Sequence, residues 1–126
     1  MPDLEVTVQE QDGIAVITPA GDVDVTSAFR LRDAIDRVLA SGLCWLVVDL
    51  REVPFMDSTG LGVLVGRLKV VRARRGSIRI VVAAPRMLRV LSITGLDTVF
   101  PLHETVSEAL TSFRAGTNAG RSAGAS

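Results

Sequence analysis

Apolar residues recur at two spacings along this chain, and the switches between them mark out its elements. Leu4, Val6 and Val8 alternate with polar residues, as a half-buried strand does, and Gln11-Asp12-Gly13 supplies a turn into a second apolar run, Ile14 to Thr18. The pattern predicts an opening hairpin that Pro19 and Gly21 end. Ala28, Leu31, Ile35, Val38 and Leu39 then repeat at helical spacing, with Asp24, Thr26 and Ser27 as capping candidates before them and Ser41-Gly42 after. Trp45 to Leu50, a run of mostly branched apolar residues, reads as a strand buried on both faces. Helical spacing returns at once in Leu61, Leu64, Val65, Leu68 and Val71, as far as Arg75-Gly76. Ile78 to Ala83 predicts another buried strand, Pro85 the first residue of a short helix carrying Met87, Leu88 and Leu91, and Gly95 its stop. Val99 to Leu102 is predicted as a short last strand, and Val106, Ala109, Leu110 and Phe113 as one face of a final helix.

Strands that alternate with helices predict an α/β domain whose later strands run parallel, with a mixed central sheet of about five strands and about four helices. Residues 1–115 form that single domain; residues 116–126, all Gly, Ala, Ser, Thr, Asn and one Arg, have nothing to bury and are expected to be a disordered tail. At 126 residues the chain is long enough for a core that needs no metal or disulfide.

Composition narrows the partners. Fourteen basic and 14 acidic side chains leave no net field to draw nucleic acid or a membrane surface, so neither is expected as a partner. Arg67, Lys69, Arg72, Arg74 and Arg75 crowd the end of one predicted helix, which reads either as a local basic patch or, as expected here, as a solvated face whose cations complement the helix dipole. Cys44 is the single cysteine and is read as a small core hydrophobe; no signal peptide or spanning apolar stretch is visible, which points to the cytoplasm. Hydrophobic residues make up 48% of the chain and Tyr is absent, so the core is largely aliphatic.

Candidate chemistry centres on residues Phe55 to Gly62, FMDSTGLG, between the central strand and the helix that follows. Asp57, Ser58 and Thr59 all suit a helix N-cap, while Gly60 and Gly62 keep the first turn free of bulk so that a partner can approach the backbone. Asp57 is open to three readings: capping, steering a partner, or positioning the Ser58 hydroxyl. Asp24 either caps the first helix or meets a partner. Phe55 and Met56 suit either core closure or an interaction patch, with Phe55 expected inward. Catalytic readings fail on the residues. Ser58 follows Met56-Asp57 rather than the glycine pattern of a nucleophile elbow, and Gly60 to Gly66 leads to Arg67 rather than the Lys and hydroxyl of a phosphate loop. The dinucleotide fingerprint has its third glycine one residue late, no His and Cys cluster offers a metal site, and His103 reads as a strand-end or loop histidine. No enzyme activity, cofactor or metal is expected.

Phe55 through Arg67, FMDSTGLGVLVGR, resembles the signature of the STAS domain of anti-sigma factor antagonists, and the similarity covers the chain up to the tail. Gly21-Asp22-Val23-Asp24 is similar to that family's first loop, Val47-Val48-Asp49-Leu50 to its central strand, and Thr94-Gly95-Leu96 to its late turn. The resemblance implies that Ser58 is phosphorylated by an anti-sigma factor that is itself a serine kinase using ATP and magnesium; Thr59, a second hydroxyl beside it, is the second choice of site. It further implies that the unmodified protein binds this kinase and frees a sigma factor, and that a PP2C-type phosphatase restores the serine. Asp24, Asp57, Ser58, Thr59, Gly60, Leu61 and Gly62 are the partner-binding residues expected on this basis. STAS domains also serve without a phosphate switch, as scaffolds or as accessories of lipid transport, and that role is the alternative.

Overall fold

The structure is a computed structural model and describes residues 3–122. Strand β1 (Glu5–Gln11) pairs antiparallel with β2 (Ile14–Ala20) along its whole length, and the turn between them places Asp12 at φ 53° and Gly13 at φ 81°. Two successive residues in the left-handed region give a turn whose twist matches that of the flanking strands. Pro19 lies inside β2 rather than ending it. The ladder from β2 to the next strand spans only Ala15 to Ile17, so the missing proline amide costs no bond on that side.

Helix α1 (Ala28–Ala40), strand β3 (Trp45–Asp49), helix α2 (Ser58–Ala73), strand β4 (Ser77–Val81) and helix α3 (Pro85–Ile93) follow. A short 3-10 turn over Leu96–Thr98, strand β5 (Leu102–His103) and helix α4 (Val106–Ser122) complete the order. The sheet runs β1-β2-β3-β4-β5, with every pairing after the hairpin parallel. The last strand therefore begins where the sequence pattern ends it. Gly95, at φ 77°, starts the 3-10 turn, and Phe100 is buried as a plug ahead of the strand rather than within it. Helix α4 runs past Gly116, where the tail is expected to begin; the last residues of that tail, 123–126, lie outside the described residues.

Alternation along the strands divides the core in two. Ala15, Ile17, Leu46, Val48, Ile78 and Ile80 face α1, α2 and α3, whereas Ile14, Val16, Val47 and Val81 face α4 through Ala109 and Phe113. On the α4 side the Trp45 and Phe113 rings stack with centroids 5.6 Å apart, and the Arg79 guanidinium lies 4.4 Å over the Phe113 ring. His103 is half-buried there, with Nε2 buried and unpartnered among the described residues. Burial first, and the nearby Arg79 charge second, push its pKa down. Cys44 is partly buried against the larger cluster.

Candidate functional site

Loops leave the carboxyl ends of β2 and β3 side by side, as parallel neighbours require. The two loops are joined by backbone bonds: Gly21 N–H donates to Glu52 O at 3.0 Å, Val23 N–H to Phe55 O at 2.9 Å, and Asp57 N–H to Val23 O at 3.1 Å. Val23 and Met56 form a parallel bridge, and both side chains are buried. Because side chains alternate along an extended segment, an inward Met56 directs its neighbours Phe55 and Asp57 outward. Phe55 is accordingly 50% exposed, which corrects the inward orientation expected from its apolar character. Val25 is 74% exposed on the partner loop. An interaction patch at Phe55 was one of two readings the sequence left open, and the alternating triplet Phe55-Met56-Asp57 was the signal that could have chosen it; Val25 was not singled out.

The base of the second loop is held by Asp49, only 3% exposed. Its Oδ1 accepts from the amide and Nε of Arg51, each at 3.0 Å, and its Oδ2 from Nη2 at 2.9 Å. Asp57 then caps α2. Extended backbone at φ −95° and ψ −173° turns its Oδ1 onto the amides of Thr59 at 2.8 Å and Gly60 at 3.4 Å. Ser58 is the first helical residue; it is exposed, and its hydroxyl has no partner among the described residues. Thr59 is exposed beside it. Gly60 is buried under this turn: a Cβ there would stand 2.6 Å from Met56 Cγ and 2.7 Å from Val23 Cγ1, so the space left by its missing side chain is filled from within. Leu61 is half-buried against the core, and Gly62 is exposed with open space around it.

On the first loop, Asp24 Oδ1 accepts from the Thr26 amide at 2.9 Å and the Thr26 hydroxyl at 2.7 Å. These two bonds, with the Thr26 hydroxyl as the larger cause, hold its carboxyl below the usual range. The Asp24 carbonyl meanwhile receives the amides of Ser27 and Ala28 at the start of α1, while the Ser27 hydroxyl accepts from the Asp24 amide at 3.0 Å. Asp24 thus shapes the entry to α1 through its backbone, with Ser27 at the N-cap position. Asp22, Asp24, Glu52 and Asp57 place four carboxylates on the joined loops, and the cation of the second loop, Arg51, is engaged by Asp49. An open cleft of about 370 Å³ beside them is lined by Asp22, Asp24, Thr26, Ser27, Arg30 and Pro54 among others. A larger depression of about 560 Å³ lies between β1 and α1, and Ser58 lines neither.

The basic end of α2 has structural work. Arg67 pairs with Asp36 at 2.6 Å, Arg72 donates to Val99 O at 3.4 Å, and Arg74 donates to Leu39 O at 2.8 Å. Among the described residues no group of three or more His, Cys, Asp or Glu side chains could hold a metal ion, and no helix is long and apolar enough to cross a membrane.

Comparison with known proteins places this geometry. A family model described as the STAS domain matches residues 5–109. The anti-sigma-F factor antagonist RsfB of Mycobacterium tuberculosis is 34% identical over 116 residues, covering 91% of this chain and 94% of that protein. An anti-sigma-B factor antagonist of Bacillus subtilis is 34% identical over 100 residues, covering 79% of this chain and 91% of that one. Among solved structures, an anti-sigma factor antagonist from Mycobacterium paratuberculosis superposes with a TM-score of 0.82 at 34% identity, covering 89% of this chain and 95% of its own.

Proposed function

The chain belongs to the STAS domain family, and we propose that within it this protein acts as an anti-sigma factor antagonist. Unmodified, it binds an anti-sigma factor that is a serine kinase and so frees a sigma factor. Phosphorylation of Ser58 ends that complex, and a PP2C-type phosphatase acting on the phosphorylated form renews it. The protein is a binding module in this cycle, and the kinase supplies the chemistry.

The observation that carries the reading is the exposed, unpartnered hydroxyl of Ser58 on a helix start whose cap is made by a different residue, Asp57. A serine that caps its own helix is held by that bond; Ser58 is released from it. Thr59 offers the second hydroxyl, with its amide already bonded to Asp57. A phosphate on Ser58 brings roughly −1.5 to −2 charges, and the amides and dipole of a helix start favour an anion there, so the fold is kept. Loss of binding arises at the interface instead. Asp57 and Asp24 add like charge, and burying an uncompensated phosphate costs several kcal/mol, whereas about 2.7 kcal/mol suffices for a hundredfold weaker complex.

The test is to combine the purified chain with the anti-sigma factor of its source organism, ATP and magnesium, and to map phosphate by mass spectrometry. Phosphate on Ser58 with dissolution of the complex is the expected result, and Ser58→Ala should retain the complex without phosphate uptake. Phosphate on Thr59 would move the site by one residue. A lasting complex without phosphate would sink the switch and leave a constitutive binding module.

A further inference from the structure

We infer that Phe55 and Val25 together form the apolar anchor by which this surface docks its kinase partner, and that the partner presents an apolar socket rimmed by Arg or Lys side chains. This rests on the reading of the protein as a kinase-binding antagonist and adds what makes the contact. Among the described residues, Phe55 and Val25 are two of the six large hydrophobic residues left exposed, and they lie on the two loops that the Val23–Met56 bridge joins. The fold does not use the exposed half of Phe55, because Met56 already fills the inward place between the loops. Both residues sit on fixed backbone: Phe55 O accepts from Val23 N–H, and Asp24 closes the turn that carries Val25. Ordering them on binding therefore costs little, which is the property of an anchor residue.

Charge and continuity argue for the occupant. Asp22, Asp24, Glu52 and Asp57 belong to the same two loops as the pair, Arg51 is engaged by Asp49 and Arg30 by Asp3, so the complementary surface is basic around an apolar centre. Phe55 is separated from Ser58 only by the buried Met56 and the capping Asp57, so a partner seated on the anchor meets the Ser58 hydroxyl at the same time. The division of labour follows: the apolar pair holds the complex at any ionic strength, while the carboxylates set the salt-dependent approach.

The experiment is a titration of the purified anti-sigma factor kinase with the full chain at low and high salt. Phe55→Ala should weaken binding tenfold or more at both salt concentrations, Val25→Ala should weaken it to a smaller degree, and Phe55→Leu should recover part of the loss. Asp22→Asn should instead reduce the salt dependence. Thermal melts of each variant confirm that it is folded. Wild-type affinity in both Phe55→Ala and Val25→Ala would overturn the anchor while leaving the antagonist reading intact. If the wild-type chain binds no anti-sigma factor kinase, that reading falls and the anchor with it.

Discussion

Replacing Gly60 with alanine tests the packing that fixes the two loops. In a helix interior, glycine to alanine ordinarily stabilises by about 0.5–1 kcal/mol, because alanine loses less backbone freedom on folding. At Gly60 the added Cβ would stand 2.6 Å from Met56 Cγ and 2.7 Å from Val23 Cγ1, roughly 1 Å inside ordinary carbon contact. Neither neighbour yields easily: Cγ lies in the middle of the Met56 side chain, Val23 is stiff at χ1, and both are buried on the bridge between the loops. Overpacking of this kind costs about 1–3 kcal/mol. Gly62, two residues on in the same helix, is the control, since a Cβ there meets nothing within 4 Å. The propensity gain is common to both variants, so Gly60→Ala should be less stable than Gly62→Ala by about 1–3 kcal/mol, with Gly62→Ala at or above wild type. Urea unfolding followed by fluorescence reads this directly, because Trp45 is the single tryptophan and stacks on Phe113 across the opposite face of the sheet. Equal midpoints and slopes for the two variants would refute the claim that the missing side chain of Gly60 is what lets the loops close.

Three further outcomes are expected. Asp57→Ala removes the acceptor for the Thr59 and Gly60 amides and should cost about 1 kcal/mol, while Asp57→Asn keeps most of it; the same urea assay decides. Arg51→Ala leaves the Asp49 carboxylate buried without its guanidinium and should cost roughly 3 kcal/mol, more than Asp49→Ala, which leaves an Arg51 side chain that is already 43% exposed. For His103, burial and Arg79 place the folded pKa below the ordinary 6.5, so the unfolded chain takes up the proton first as pH falls. Its contribution to stability is complete above about 6.5 and declines as pH drops below it. Thermal melts from pH 8 to pH 5 should show that decline, and His103→Gln should flatten it.

Much of this protein can be read from spacing alone. Period-two alternation marked the first strand, short continuous apolar runs the buried strands that follow it, and period-3.6 spacing the four helices in order, because each pattern suits the faces that one kind of element buries. The placement of Ser58 at the start of α2 was equally legible, since a polar cap between an apolar strand and an apolar helical face leaves little room for another arrangement. Less legible were the features that depend on a neighbour distant in sequence. Val99 to Leu102 is apolar enough for a strand, yet pairing with β4 begins only at Leu102, after the 3-10 turn has buried Phe100. The arginines of α2 look like a solvated row until Asp36, Leu39 and Val99 arrive from other elements to receive three of them. Phe55 is the sharpest case: hydrophobicity predicts that it turns inward, but one inward place exists between the loops and Met56 occupies it across from Val23. Which elements form, and where the serine stands among them, follows from local residue order, because those are properties of consecutive residues. Which side chains that surface presents is set by long-range packing, because the choice belongs to a backbone bridge between two loops more than 30 residues apart.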